Sequence, residues 1–334
     1  RSTVQDPVVI SFVEKAFSKN LSQVTGKDYS SLKFLSIAKD NKEENWCFSY
    51  AEKLDEEGNP VEEKTLYFPA TESIPRQEIQ PFTGLENLAL GQDLDFDSDS
   101  QDNQDLKNLK ELKYFSAIGN NSESFRELLL SLANPEQILG LSGIYLRDDV
   151  VPYSISSDET KDITDIFTPF SSLKSLSIRV NYKYEGGLLF LRHFPNLESL
   201  TLDTSADLAP LATLSNCKNL SLSGPYDKPL ENISVLSGMP QMEHLRLHDV
   251  MSLKDLNFTQ NMPNLKSLEL ESVPILSLDG LANHPSLNTL SIDDCYELTD
   301  GKAIAGLSAL QSLHLGGRGH GCYIPDLQNL TALE

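Results

Sequence analysis

A chain of 334 residues can hold two ordinary domains or one elongated repeat array, and with 39% hydrophobic and 23% charged residues it has the apolar material for a core. The 49 Asp and Glu against 27 Lys and Arg leave a formal charge of -22, a surface that repels nucleic-acid phosphates and anionic lipid, and no basic island of useful size offsets it. No apolar run approaches the roughly 18 residues that cross a bilayer, so neither nucleic-acid binding nor membrane insertion is expected.

Arg1 is not an initiator methionine, which leaves removal of a secretion leader open. Residues 6–20, DPVVISFVEKAFSKN, read as an amphipathic helix, with Asp6 as N-cap, Pro7 at the first helical position and Val9, Phe12, Val13, Ala16 and Phe17 on one face. A helix of this kind can cover the first rung of a repeat ladder, which otherwise exposes core and an unpaired strand edge. Val24, Thr25 and Asp28 follow, then Leu32, Leu35 and Ile37. The stretch FVEKAFSKNLSQVTGKDYSSLKFLSI resembles the N-terminal cap of secreted bacterial leucine-rich repeat proteins, where a short helix precedes an I/V-T-x-x-D step and the first strand. Residues 1–31 are therefore expected to be the cap and 32–334 the repeat domain.

Beyond the cap, one pattern recurs. Looser copies begin at Leu32 (SLKFLSI), at Leu66 and Phe68 (EKTLYF), at Leu85 (GLENLAL), at Leu112 (ELKYFSA) and at Leu141 (GLSGIYL). Regular copies carry their first apolar residue at Leu173, Leu197, Cys217, Met242, Leu265, Leu287 and Leu310, giving steps of 24, 20, 25, 23, 22 and 23. Those steps fall in the range of leucine-rich repeats, roughly 20–29 residues. The expected fold is an α/β leucine-rich repeat solenoid of about twelve repeats, with a curved parallel β-sheet on the concave face and short helices or loops on the convex face. Within each rung, positions 4 and 6 point to the core and positions 3, 5 and 7 to the concave face. Pro195, Pro240, Pro263 and Pro285 limit the convex helices. Insertions interrupt the period near 40–60, 91–107 and 147–166, and such surface loops often carry binding.

The rungs FPNLESLTL and MPNLKSLEL, with convex segments such as DLAPLATLSN, resemble internalin-type repeats, although the asparagine after each strand is mostly absent. SLNTLSIDDCYELTDGKAIAGLSAL resembles the cysteine-containing repeats of F-box adaptors, with Leu298, Thr299 and Asp300 after Cys295. What these resemblances imply is recognition of a protein through the concave face, without chemistry.

On that face the register places Tyr67, Tyr114, Tyr145, Arg147 and Arg179 toward the N-terminus, residue types that recur in interface hot spots. Small hydroxyls follow at Ser175, Ser177, Ser199, Thr201 and Ser221, a smooth stretch able to accept a close-packed partner or to do nothing. The C-terminal third carries His244, Arg246, His248, Asp249, Glu269, Glu271, Asp293, Asp294 and His314. His248, Glu271 and Asp293 should form a lateral row that could hold a basic partner, against the ordinary reading of a solvated polar face; a metal there is the lesser reading.

No cofactor is expected. The loop at Asp93–Asp105 offers Asp95, Asp97 and Asp99, but Ser100 replaces the glycine and Leu106 the closing glutamate of a calcium loop, so a solvated acidic loop leads over a calcium site. Cys47, Cys217, Cys295 and Cys322 form no C-x-x-C pair and read as free thiols. No catalytic motif is present; GGRGHG at 316–321 lacks the lysine of a phosphate loop. The leading expectation is a non-catalytic, secreted or cell-surface bacterial recognition protein with a protein partner. An effector or adaptor delivered into a host cytoplasm is the alternative, with glycan binding or an unrecognised enzyme behind it.

Overall fold

In a computed structural model that describes residues 3–70, 73–91, 94–95, 106–117, 128–147, 164–317 and 321–334, the repeat pattern resolves into rungs of leucine-rich repeat type. They group into two units, the first running through Tyr145 and including Thr164–Leu173, the second holding Leu146, Arg147 and Lys174–Glu334.

The first unit begins with helix α1 (Pro7–Phe17), capped by the Asp6 carboxylate, which accepts from the amides of Val8 and Val9. The chain leaves the helix through Ser18 in the left-handed region, φ 52°. Thr25 and Asp28 then form a reciprocal capping box on α2 (Gly26–Ser31). Strands β1 (Phe34–Lys39), β2 (Asn45–Ala51), β3 (Lys53–Leu54), β4 (Pro60–Val61), β5 (Lys64–Pro69), β6 (Ile74–Pro75), β7 (Asn87–Leu90), β8 (Leu94–Asp95), β9 (Tyr114–Ala117) and β10 (Gly140–Leu146) follow. The sheet order is β5-β2-β1-β7-β9-β10, while β3 pairs β4 and β6 pairs β8 in two small sheets. Gly143, at φ 72°, shifts the alternation in β10, so that Leu141, Ile144 and Leu146 are all buried.

Two expectations are corrected here. The insertion near 40–60 interrupts the period between β1 and its parallel neighbour β7 but is not loop throughout, because β2 joins the sheet antiparallel to β1, with Ile37 opposite Phe48. EKTLYF is not a parallel rung either: β5 pairs antiparallel with β2, Phe48 opposite Leu66. A connection of five residues between β1 and β2 leaves no room for the crossover that a parallel pair needs. The cap consequently packs on these antiparallel strands as well as on Phe82, which leads into the parallel strand β7. Phe12 stacks on Phe48 at 4.6 Å between ring centroids and meets Tyr50 edge-on at 5.4 Å. Each such ring pair adds about 0.5–1.5 kcal/mol beyond its buried area.

The second unit carries β11 (Ser175–Val180), β12 (Ser199–Thr204), β13 (Asn219–Ser223), β14 (His244–His248), β15 (Ser267–Glu271), β16 (Thr289–Asp293) and β17 (Ser312–Leu315), parallel and adjacent in chain order. Two leucine columns run through the register: Leu176, Leu200, Leu220, Leu245, Leu268 and Leu290 in one, Ile178, Leu202, Leu222, Leu247, Leu270 and Ile292 in the other. All twelve are buried. Burial of each contributes roughly 1.5–3 kcal/mol. Leu313 and Leu315 of β17 are only half-buried.

Opposite the strands, the return segments form 3-10 turns, among them Leu189–His193, Ala209–Thr213, Ile233–Gly238 and Asn257–Asn261. Each is followed by a buried residue, Phe194, Leu214, Met239 and Met262 in turn. At the next repeat His284 takes this buried place, with Nε2 3.2 Å from the Thr259 carbonyl and 3.1 Å from that of Met262. Two carbonyl acceptors require the proton on Nε2. The candidate calcium loop and the insertion at 147–166 lie mostly outside the described residues.

Candidate functional site

On the second unit, the side chains that point away from the leucine columns stand in three rows set by the same register. Ser199, Asn219, His244, Ser267 and Thr289 form the first, and Thr201, Ser221, Arg246, Glu269 and Ser291 the second. The third runs Arg179, Asp203, Ser223, His248, Glu271, Asp293. His248, Glu271 and Asp293 are thus lateral neighbours, and His314 stands exposed on β17 opposite Ser291.

Both arginines on this face have carboxylate neighbours. Arg179 Nε lies 3.1 Å from Asp203. Arg246 donates from Nη2 to Glu271 at 3.0 Å, while its Nε stays 3.8 Å from Glu269. His248 Nε2 is 3.3 Å from Asp249 and 3.8 Å from Glu271. These side chains are about half exposed, so each pair adds at most about 1 kcal/mol. Among the described residues, no group of three or more His, Cys, Asp or Glu is arranged to hold a metal ion.

Between the paired charges lies a shallow depression of about 400 Å³ over β12–β15. Its polar lining includes Ser199, Thr201, Asn219, Ser221, His244 and Ser267. None of these six side chains has a hydrogen-bond partner among the described residues. Arg246 and Glu269 close its β15 end.

The first unit places its candidates differently. Tyr67 lies on β5, 63% exposed, on the antiparallel part of the sheet. Tyr114 on β9 is not open: its ring lies against Gly58, at the turn of the β3–β4 hairpin, and against Gly140. A Cβ at either glycine would collide with that ring. The Gly58 carbonyl also accepts from Asn87 Nδ2 at 2.9 Å, so the hairpin is pinned onto the open face of β7 and β9. Tyr145 is half-buried, and so is Arg147, which belongs to the second unit.

A further charged row escapes a reading of positions 3, 5 and 7. Position 2 of successive rungs alternates in sign: Lys33, Glu86 and Lys113 in the first unit, Lys174, Glu198, Lys218, Glu243 and Lys266 in the second. Glu86 is 3.2 Å from Lys33 and 2.9 Å from Lys113. Lys113 and Lys33 hold the Glu86 carboxyl below its ordinary range. Glu243 similarly bridges Lys266 at 2.6 Å and Lys218 at 3.6 Å. The signal was present in the sequence as the second letter of each repeat.

No two cysteines are bonded. Burial pushes the Cys217 thiol up to about 11 and raises those of Cys47 and Cys295, so at neutral pH these three offer little nucleophilic thiolate.

No protein-family profile matches the chain, and no curated protein matches it either. Similar solved structures exist. An internalin (inlF) from Listeria monocytogenes aligns with 99% of this chain and 94% of its own at 16% identity and a TM-score of 0.53. Internalin C2 from the same organism aligns with 86% of this chain and 93% of its own, at 17% identity and a TM-score of 0.41. The functional domain of InlJ from Listeria monocytogenes covers 96% of this chain and 71% of its own at 14% identity and a TM-score of 0.44. The first of these likenesses establishes a shared leucine-rich repeat fold.

Proposed function

We propose that this chain is a non-catalytic recognition module that binds a protein partner through the open face of its second unit. The observation that carries this reading is the three-row register, which sets small, unengaged polar groups beside ion-paired Arg246, Glu269 and Glu271 on one continuous parallel sheet. Rigid strands fix the spacing of these groups, so little ordering entropy is lost when a partner docks. The same face holds more carboxylates than guanidinium groups, which favours a basic partner. In this reading the protein is bacterial and secreted or displayed at the cell surface, as the resemblance of its cap implies.

Charge reversal tests the face. Immobilised wild-type chain is compared with an Arg246→Glu/Glu269→Arg/Glu271→Arg variant of equal melting temperature for capture of partners from host-cell surface extracts. A partner held by the wild type and lost at least tenfold by the variant supports the reading. Equal capture by both chains would move recognition away from this face.

A further inference from the structure

The depression over β12–β15 has a specific occupant in its chemistry. We infer that it takes an extended peptide segment of about four residues, lying across the strands, with a cationic side chain at the β15 end. This rests on the recognition reading above and narrows it.

Size comes first. Four strands spaced by about 4.8 Å span about 14 Å, which about four extended residues cover at ~3.3 Å each. The lining then supplies partners for a main chain. Ser199, Thr201, Asn219, Ser221 and Ser267 are short enough for a peptide backbone to approach, and their hydroxyl and amide groups both donate and accept. Since none of these groups is engaged within the protein, a ligand N–H or C=O meets free capacity and breaks no internal bond. No Phe, Tyr or Trp lines the depression, so a sugar ring finds only the His244 imidazole to stack on.

Charge fixes the direction. Arg246 lines the depression, and its Nη2 is held by Glu271 of the third row at 3.0 Å. Glu269 is left with only a 3.8 Å approach from Nε and keeps acceptor capacity on the depression's edge. Arg246, Glu269 and Glu271 together carry a net charge of minus one, which selects a lysine or arginine.

The test is an array of acetylated, amidated pentapeptides in which each position is fixed in turn as Lys, Arg, Glu, Ser or Leu, probed with the labelled full chain. A glycan array is read in parallel. Expected is a preference of about tenfold for Lys or Arg over Glu at one position, abolished by Glu269→Gln and reversed by Glu269→Lys. Ser221→Trp, which fills the depression from an outward-facing position, should remove peptide binding while the melting temperature holds. Peptide binding indifferent to Ser221→Trp, absence of any positional preference, or glycan binding lost in Ser221→Trp would each overturn the inference. A protein partner lost on charge reversal yet retained by Ser221→Trp would overturn it too, and would leave the broader recognition reading standing.

Discussion

Asp28 joins the cap to its own acid sensitivity. Its carboxylate accepts from the Thr25 amide at 2.8 Å and the Thr25 hydroxyl at 2.9 Å, and pairs with Lys19 at 2.6 Å. The Lys19 hydrogen bond, ahead of the two from Thr25, lowers its pKa from 3.8 to about 2. A carboxyl depressed in the folded state binds its proton more weakly there than in the unfolded chain. The stability it contributes is therefore complete above about pH 4 and is lost as the pH falls toward 2. A carboxyl-detected NMR titration should place Asp28 near 2, below exposed carboxylates such as those of a denatured control. Asp28→Asn should flatten the acid limb of the unfolding curve between about pH 4 and 2. An ordinary midpoint for Asp28 would mean that the capping box does not hold the start of α2 in solution.

At the scale of elements, the β3–β4 hairpin is held by contacts that side-chain patterning does not reveal, the Tyr114 ring over Gly58 and the Asn87 bond to the Gly58 carbonyl. Gly58 has φ 88° and lies directly under the Tyr114 ring, so Gly58→Ala adds both backbone strain and a collision. Either costs about 1–3 kcal/mol, enough to release a two-residue hairpin without unfolding the sheet. Trypsin should then cut after Lys53 at least tenfold faster in Gly58→Ala than in wild type, with a smaller change in melting temperature; unchanged cleavage would show that other contacts hold the hairpin. This element also marks where the sequence stopped being legible. The leucine columns, the α1 helix with its Asp6 cap, and the third-row neighbours His248, Glu271 and Asp293 all follow from period and register, and the structure has them. Strand direction at residues 45–69 does not follow from period, because alternation such as Leu66 and Phe68 is the same in parallel and antiparallel strands. The short connection at Asp40 was the available signal, with its carboxylate accepting from the Glu44 amide and Asn45 Nδ2. Tyr114 looked free because the residue covering it is 56 positions earlier in the chain. The Lys and Glu row at position 2 falls outside strand alternation, which assigns only positions 3, 5 and 7 to the open face.

For the molecule as a whole, the charge of -22 and the ion-pair rows pull salt dependence in opposite directions. Pairs such as Lys174 with Glu198, 56% and 49% exposed, are weak in water and screened by salt, and each contributes about 0–1 kcal/mol. Repulsion among the excess carboxylates acts over longer distances. Raising ionic strength from about 0.01 M to 0.15 M shortens the Debye length from about 30 Å to about 8 Å, which removes this long-range term while touching contacts of 3–4 Å far less. Sodium chloride should therefore raise the melting temperature over this range, by about 1–2 °C if the relief reaches about 1 kcal/mol. Association with a cationic partner should respond with the opposite sign, because the attraction of Glu269, Glu271 and their neighbours for it is screened by the same ions. A paired experiment reads both, calorimetry for melting and surface binding for association, on one set of buffers. Melting that falls with salt would mean that the Lys33–Glu86–Lys113 and Lys218–Glu243–Lys266 rows outweigh the net charge in holding the fold. Association that strengthens with salt would instead point to apolar docking and away from the charged open face of the second unit.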